Sequence, residues 1–310
     1  MIPDVTKERI FRAAKELKYK PNYFARYLNI KRSYLIGVLA TSLREGYDSA
    51  LLAGIELRLF KSEYVCLVAS HLWSKPITEK LMQTLKERGA EGLILINTEP
   101  PLHQTDIPII TLGSGDPREN VTRIAIDNAA GAQMLIQHLY QLGHRHLAFF
   151  RGHPDSLDSN ERWDGLVKAM AEFGLSVDPS LTIQLDRHNE AHLGGTEEGQ
   201  QAARLLLKRK AKFTALVAFN DIAAVGAVHA FQQAGLRVHE DVSVVGFDDI
   251  ALATLTVPGL TTIRQPLEQM GEMAAQNLLR QIDEKVIPPL TTLIKPQLIV
   301  RQSTGPAVPR

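Results

Sequence analysis

The chain has one cysteine, Cys66, and it sits inside an apolar run. An internal disulfide is therefore excluded, and the thiol reads as core. No run of 18 or more apolar residues occurs, so nothing reads as a membrane-spanning helix. The opening residues are too charged for a secretory leader, and the expectation is a cytoplasmic protein. Also missing are a G-x-S-x-G elbow, a phosphate-binding P-loop and a complete G-x-G-x-x-G; Gly113-Ser114-Gly115 is a loop fragment. No nucleophile stands beside a base, so an enzyme has nothing to rest on, and no cofactor is expected. His144, His146 and His153 lie in GHRHLAFFRGH. No cysteine or carboxylate stands at a zinc-like spacing from them, and a metal site is not expected.

What is present is ordinary in bulk and uneven in detail. Over 310 residues, 45% are hydrophobic and 22% charged, which suits two compact domains with real cores. The net charge of +1 hides an asymmetry: residues 1–34 hold nine Lys/Arg against three Asp/Glu, and the remainder holds 26 against 31. A basic arm on a mildly acidic body fits a phosphate contact. A solvated helix rich in lysine fits the charge equally well.

Asp4 after Pro3 is a candidate N-cap, and Ile10, Ala13, Ala14 and Leu17 follow at helical spacing before Pro21. Asn22 can cap a second short helix, Tyr23–Leu28. From Leu35 onward, strands alternate with helices. Strands are expected at 35–40, 64–69, 92–96, 109–112, 121–126, 146–150, 181–184, 215–219 and 242–245. Helices are expected at 47–60, 77–88, 129–142, 159–173, 195–208 and 222–234. Continuous apolar strands between helices indicate parallel sheets covered on both faces. About ten strands exceed one ordinary sheet. The fold class is therefore α/β, with two doubly wound parallel-sheet lobes meeting near Leu142–His146, preceded by a small helical segment.

The stretch 215–249 shows where a ligand would sit. Its first strand ends on Asn220-Asp221, its helix stops at Gly235, and its second strand ends on Gly246-Phe247-Asp248-Asp249. In open parallel sheets ligands bind beyond the carboxyl ends of the strands. Asp127-Asn128 forms a third such pair. Each pair has two readings, a helix cap or a set of fixed acceptors for a hydroxyl-rich ligand. Arg162, at a helix start, reads either as a complementary donor or as a surface cation. Tyr47 and Trp163 read either as core or as a wall against a ligand's apolar face.

Several blocks together resemble the LacI/GalR family of bacterial transcription regulators. They are IAIDNAAGAQMLIQHLYQLGHRHLAFFRG, SNERWDGLVKAM, AFNDIAAVGAV, HEDVSVVGFDDIA, PGLTTIRQP and LIVRQST, in this order and spacing. The resemblance implies a periplasmic-binding-protein-like pair of lobes with an effector in the interlobe cleft. Contacts are implied from Asp127, Arg162, Asn220 and Asp248, and Ser42 and Tyr47 are added from the first lobe. The expected domains are 1–34 as a partial headpiece, 35–143 with 266–292 as the first lobe, and 144–265 with 293–310 as the second. The resemblance also implies a homodimer, a small sugar or sugar derivative as effector, and operator DNA as partner. Residues 1–34 are similar to the third headpiece helix and the hinge helix, which places Asn22, Arg26 and the Leu28 wedge on DNA. Met1 stands where the family has the loop after its recognition helix. A late start, a trimmed chain and a sensor without a helix-turn-helix all stay open. Ser42, the run Glu45-Gly46-Tyr47-Asp48 and Gly113-Ser114 depart from the family's usual residues, and a simple hexose is correspondingly less expected.

Overall fold

The computed structural model describes residues 3–17, 32–44, 46–100, 106–115, 121–185, 196–284 and 291–308. Asn22, Arg26, Leu28 and the expected hinge helix lie outside these residues. Two six-stranded sheets organise the rest. The first has the order β11-β5-β4-β3-β1-β2, from β1 (Leu35–Ala40), β2 (Val65–Ser70), β3 (Gly92–Ile96), β4 (Ile109–Leu112), β5 (Val121–Ile126) and β11 (Thr291–Ile294). The second has the order β12-β10-β9-β8-β6-β7, from β6 (Leu147–Arg151), β7 (Thr182–Gln184), β8 (Ala215–Val217), β9 (Ser243–Asp248), β10 (Thr261–Arg264) and β12 (Gln297–Ile299). All pairings are parallel except that of β12 with β10.

The central strands are mostly apolar and buried because both faces are covered. GLILI of β3 is buried throughout. In the first lobe, α2 (Gly46–Leu59) and α9 (Leu267–Glu284) place Leu51, Ile55, Met270 and Leu278 on one face. Met82 and Leu85 of α3 (Lys75–Glu87) cover the other. In the second lobe, α6 (Thr196–Lys208) and α7 (Asp221–Gln233) bring Ala203, Leu206, Ala227 and Phe231 to one face, joined by Ala253 of the short α8 (Ala251–Leu255).

The opposite face of that second sheet corrects an expectation. Helix α4 (Asn128–Gln141) lies here, with α5 (Leu157–Glu172), and buries Ala132, Leu135, Ile136 and Leu139 against Phe149, Leu166, Phe247 and Ile263. The chain therefore changes lobe at Asp127, not near residue 143. The amphipathic stripe of the helix shows that it is covered, without showing by which sheet. The chain returns at Gln265-Pro266 and crosses a third time at Lys295-Pro296, since β11 still pairs with β5. Residues 293–294 thus belong to the first lobe, where the second was expected.

Smaller differences have local causes. Helix α1 (Asp4–Glu16) is capped by Pro3 without a side-chain bond, and Asp4 pairs instead with Lys7 at 2.9 Å. Strand β9 runs on through Gly246-Phe247-Asp248, all buried, so those residues end the strand and do not follow it.

Two glycines set the approach of α2 to α9. A Cβ on Gly54 would stand 1.8 Å from the Glu268 carbonyl oxygen, and one on Gly271 would stand 2.0 Å from that of Leu51. Backbone cannot yield as a side-chain tip does, so Gly54→Ala and Gly271→Ala should each lower stability by about 1–3 kcal/mol. Urea unfolding followed by circular dichroism measures this. Wild-type midpoints for both would show that the helices do not meet so closely.

Candidate functional site

Because helices follow strands, their amino termini gather at the carboxyl ends of both sheets. Ser74, Asp127, Ser156 and Asn220 cap α3, α4, α5 and α7 there, each accepting a backbone N–H. Between the lobes these ends enclose a cleft. Thr41, Tyr47, Asp48, Trp73 and Asn97 line it from the first lobe, and Ser156, Asp158, Arg162, Phe219, Asn220 and Asp248 from the second.

Arg162 is 4% exposed. Its Nε donates to Asn128 Oδ1 at 3.1 Å, and its Nη1 donates to the Phe219 carbonyl. The guanidinium lies over the Phe247 ring at 3.5 Å and faces the Phe219 ring at 4.7 Å. The bond from Nε and the stacking fix the fork and leave Nη2 for further acceptors. Asn128 also donates from Nδ2 to Asp158 Oδ1 at 2.9 Å and to Ser114 Oγ at 3.0 Å. Ser114, in the first lobe, has its Oγ 2.7 Å from Asp158 Oδ1 and 2.6 Å from Glu161 Oε2, both in the second. The lobes are thus hydrogen-bonded across the cleft.

Asp248 is buried at φ 116° and Asp249 follows at φ 56°, both in the left-handed half of the map. Such backbone persists where its surroundings over-determine it. Gln265 does so for Asp248, donating from Nε2 to Oδ1 at 2.7 Å and from its backbone N–H to the Asp248 carbonyl at 3.3 Å. For Asp249, Arg264 Nε and Arg301 Nη2 each donate to the carboxylate at 2.6 Å. Beneath them Asp221 is fully buried; it accepts from Ile250 N–H at 2.9 Å and pairs with the Thr262 hydroxyl at 2.5 Å. A Cβ on Gly246 would reach within 2.3 Å of its Oδ1, so only glycine fits there.

Of the residues marked in the sequence, Tyr47, Arg162, Asn220 and Asp248 all line this cleft. Burial first, then the carboxylates of Asp158, Asp248 and Asp48, push the Tyr47 phenol well above its ordinary range, which keeps it a neutral hydroxyl. Ser42 and Asp127 do other work. Ser42 is buried, its N–H donating to Asp48 Oδ2 at 3.1 Å and its Oγ accepting from Arg44 N–H at 3.3 Å. Thr41 is the residue of that loop that lines the cleft. Asp127 caps α4 through Ala130 N–H at 2.9 Å, while its neighbour Asn128 reaches Arg162. Trp163 turns away, its ring edge-on to Phe149 at 5.6 Å and beneath Arg151 at 4.5 Å.

Thr41, Trp73, Asn97, Ser156, Asp158 and Phe219 line the cleft without a sequence signal for it, and Asp48 lines it from the run that departs from the family's usual residues. Trp73 and Asn97 follow β2 and β3 in loops without an acidic pair. Their available signal was position alone, directly beyond a parallel strand end. His144 has its ring nitrogens at 2.8 Å from Thr214 Oγ1 and 3.0 Å from the Gly305 carbonyl, inside the second lobe. His153 stacks on Trp73. Among the described residues no three His, Cys, Asp or Glu side chains converge as metal ligands, and no helix is long and apolar enough to cross a membrane.

Comparison with known proteins gives a consistent picture. A family model described as periplasmic binding protein-like domain matches residues 136–304. The HTH-type transcriptional repressor PurR of Erwinia tasmaniensis is 30% identical over 312 residues, covering 98% of this chain and 89% of the relative. The lac repressor dimer bound to operator and the anti-inducer ONPF superposes with a TM-score of 0.85 at 27% identity, covering 98% of this chain and 92% of that one. The complex of the regulator CelR with cellobiose gives a TM-score of 0.76 at 27% identity and the same coverage.

Asp221 yields a pH signature. Burial, then the charge of Asp248, raises its carboxyl well above the ordinary aspartate value of 3.8. A folded-state value above the unfolded one means the fold holds its proton longer. Stability from this group is full below the ordinary value and declines as pH rises from there through the raised one. Asp221→Asn keeps both partners, accepting from Ile250 and donating to Thr262, without the titration. The variant should gain on wild type as pH rises above the ordinary aspartate range, as unfolding free energies at several pH values will show. Parallel pH profiles would contradict the assignment.

Proposed function

The chain belongs to the LacI/GalR family of ligand-responsive transcriptional repressors, and on that footing we propose that its effector is a sugar or sugar derivative held between the lobes. Arg162, Asn220, Asp248 and Tyr47 hold the ligand; Thr41 and Asp158 complete the ring, and Ser42 and Asp127 keep the turns behind them. One observation carries this reading: side chains from Tyr47 to Asp248, scattered along the chain, meet in one buried cleft with donors and acceptors facing inward. The protein acts in the cytoplasm on operator DNA, through a segment in which Asn22, Arg26 and Leu28 make the contacts.

The route from cleft to DNA is mechanical. Arg32 donates to Glu91 Oε2 at 2.8 Å and to the Tyr64 hydroxyl, and Tyr34 N–H donates to Glu91 Oε1 at 2.8 Å. These bonds tie the chain preceding β1 to the first lobe, so a rotation of that lobe moves whatever residues 1–31 hold. The effector can shift the equilibrium only by its difference in affinity for the two lobe arrangements.

We propose further that the protein is a homodimer through the lobes. Phe60 is 89% exposed, and beside it Leu57, Val65 and Leu67 are open along α2 and the edge strand β2. Leu255 and Val257 are open in the second lobe. Exposed apolar side chains in such number mark an interaction surface.

Two outcomes are expected. Arg162→Ala and Asp248→Ala should each weaken effector binding by tenfold or more, because a charge-assisted hydrogen bond is worth about 1.5–3 kcal/mol. Ligand-induced thermal shift and release from operator DNA both read this, and wild-type curves for both variants would end the assignment. Phe60→Glu combined with Leu255→Glu should yield monomers at tens of micromolar by sedimentation. A dimer that persists would place the interface elsewhere.

A further inference from the structure

The space around Arg162 is small, and the space outside it is large. The inner chamber, bounded by Thr41, Tyr47, Arg162 and Asp248, has a volume of about 40 Å³. It shares Trp73, Asn97 and Asp158 with an outer chamber of about 820 Å³ at the mouth of the cleft. Sites that hold drug-sized ligands span about 300–1,000 Å³. One small ring at Arg162 would leave most of the outer chamber to water.

The walls carry a chemical preference. Thr41 Oγ1 and Asn97 Oδ1 are buried with no partner among the described residues, and ligand hydroxyls would supply the missing bonds. Trp73 gives the mouth an apolar face and is stacked on His153 of the opposite lobe, ring centres 5.6 Å apart at 15°. Charge in the outer chamber is acidic: Glu79, Asp155 and Asp158 face Lys75. In the inner chamber Asp48 and Asp248 face Arg162, whose donors are partly taken by Asn128 and Phe219. A phosphate or carboxylate entering here meets like charge in a setting of low dielectric, while hydroxyls and amines meet acceptors.

Building on the effector-cleft reading above, we propose that the effector spans both chambers. It is a hydroxyl-rich ligand of more than one ring, uncharged or amine-bearing, and without phosphate or carboxylate.

The chain has two tryptophans, so Trp163→Phe leaves Trp73 as a fluorescent reporter of the mouth. This variant is titrated with cellobiose, maltose, lactose and the disaccharide of glucosamine, with glucose, galactose and glucosamine, and with glucose 6-phosphate and glucuronate. At least one disaccharide should change Trp73 fluorescence saturably, its monomers binding at least tenfold more weakly and the two anions weaker still. Equal affinity for a monomer, tighter binding of an anion, or no response to any disaccharide overturns the proposal. Calorimetry on Arg162→Ala and Asp248→Asn runs alongside, with melting temperatures to confirm that they fold. A monomer or anion that binds wild type at least as tightly as every disaccharide, and binds neither variant, would refute the proposal and leave the effector cleft standing. Ligands that bind all three proteins alike would remove the cleft assignment itself.

Discussion

A guanidinium taken out of water has to be compensated, and much of the cleft follows from how Arg162 is compensated. Burying a charge is tolerable when its donors are bonded and its faces covered. Arg162 gets its acceptors from Asn128 and from the Phe219 carbonyl in the loop after β8, and its cover from Phe219 and Phe247. Each partner is thereby fixed in turn. Asn128, with its oxygen committed to Arg162, must turn its amide to Asp158 and Ser114. Ser114 belongs to the other lobe, so the compensation of one buried charge ends in a contact across the cleft.

The same logic holds Asp248 in its unusual backbone conformation. Gln265, which grips it by side chain and main chain, is also where the chain passes from the second lobe to the first. A cleft residue and a crossing strand are therefore one hydrogen-bonded unit, and a ligand that pulls on Asp248 pulls on the crossing. Asp127 does likewise at another crossing, capping α4 while its N–H bonds to Ile294 near the third. Lobe motion needs discrete elements that both the site and the distant segment can bias. These crossings are physical candidates for that role.

Much of this was legible in the residues because the signals are local. A buried run, a polar pair and an amphipathic helix in succession place Asn220 and Asp248 at strand ends whatever the rest of the chain does. Arg162 stands out by charge type at a helix start. Thr41, Trp73 and Asn97 were not legible, because a loop after a strand carries no mark of which side chain turns inward. The lobe that receives helix 128–141 was also hidden. Its apolar stripe would suit either sheet, and contacts with Phe149, Phe247 and Ile263 of the second sheet decide between them. For Asp127 the helix-cap reading of its polar pair is the one that holds, and Ser42, placed by resemblance alone, is likewise taken by its own turn.

Across the cleft, Ser114 presents a single hydroxyl hydrogen to two carboxylates, Asp158 at 2.7 Å and Glu161 at 2.6 Å. It can donate to one at a time. Asp158 keeps the Asn128 amide at 2.9 Å and the Ser114 N–H at 3.2 Å whichever way the hydroxyl turns, and Glu161 stays open to water, so the hydroxyl adds little to the clasp and its net strength is modest. A clasp of this kind suits a switch. If closure were fully satisfied without ligand, the lobes would stay shut and a ligand would change nothing; if unsupported, ligand binding would be spent on ordering the cleft. A hydroxyl-rich ligand of the kind proposed would add donors beside Asp158 that only the closed arrangement brings within reach. Its affinity would then depend on the lobes being together, and through that dependence binding in the cleft would bias the position of the Arg32–Glu91 anchor on the first lobe.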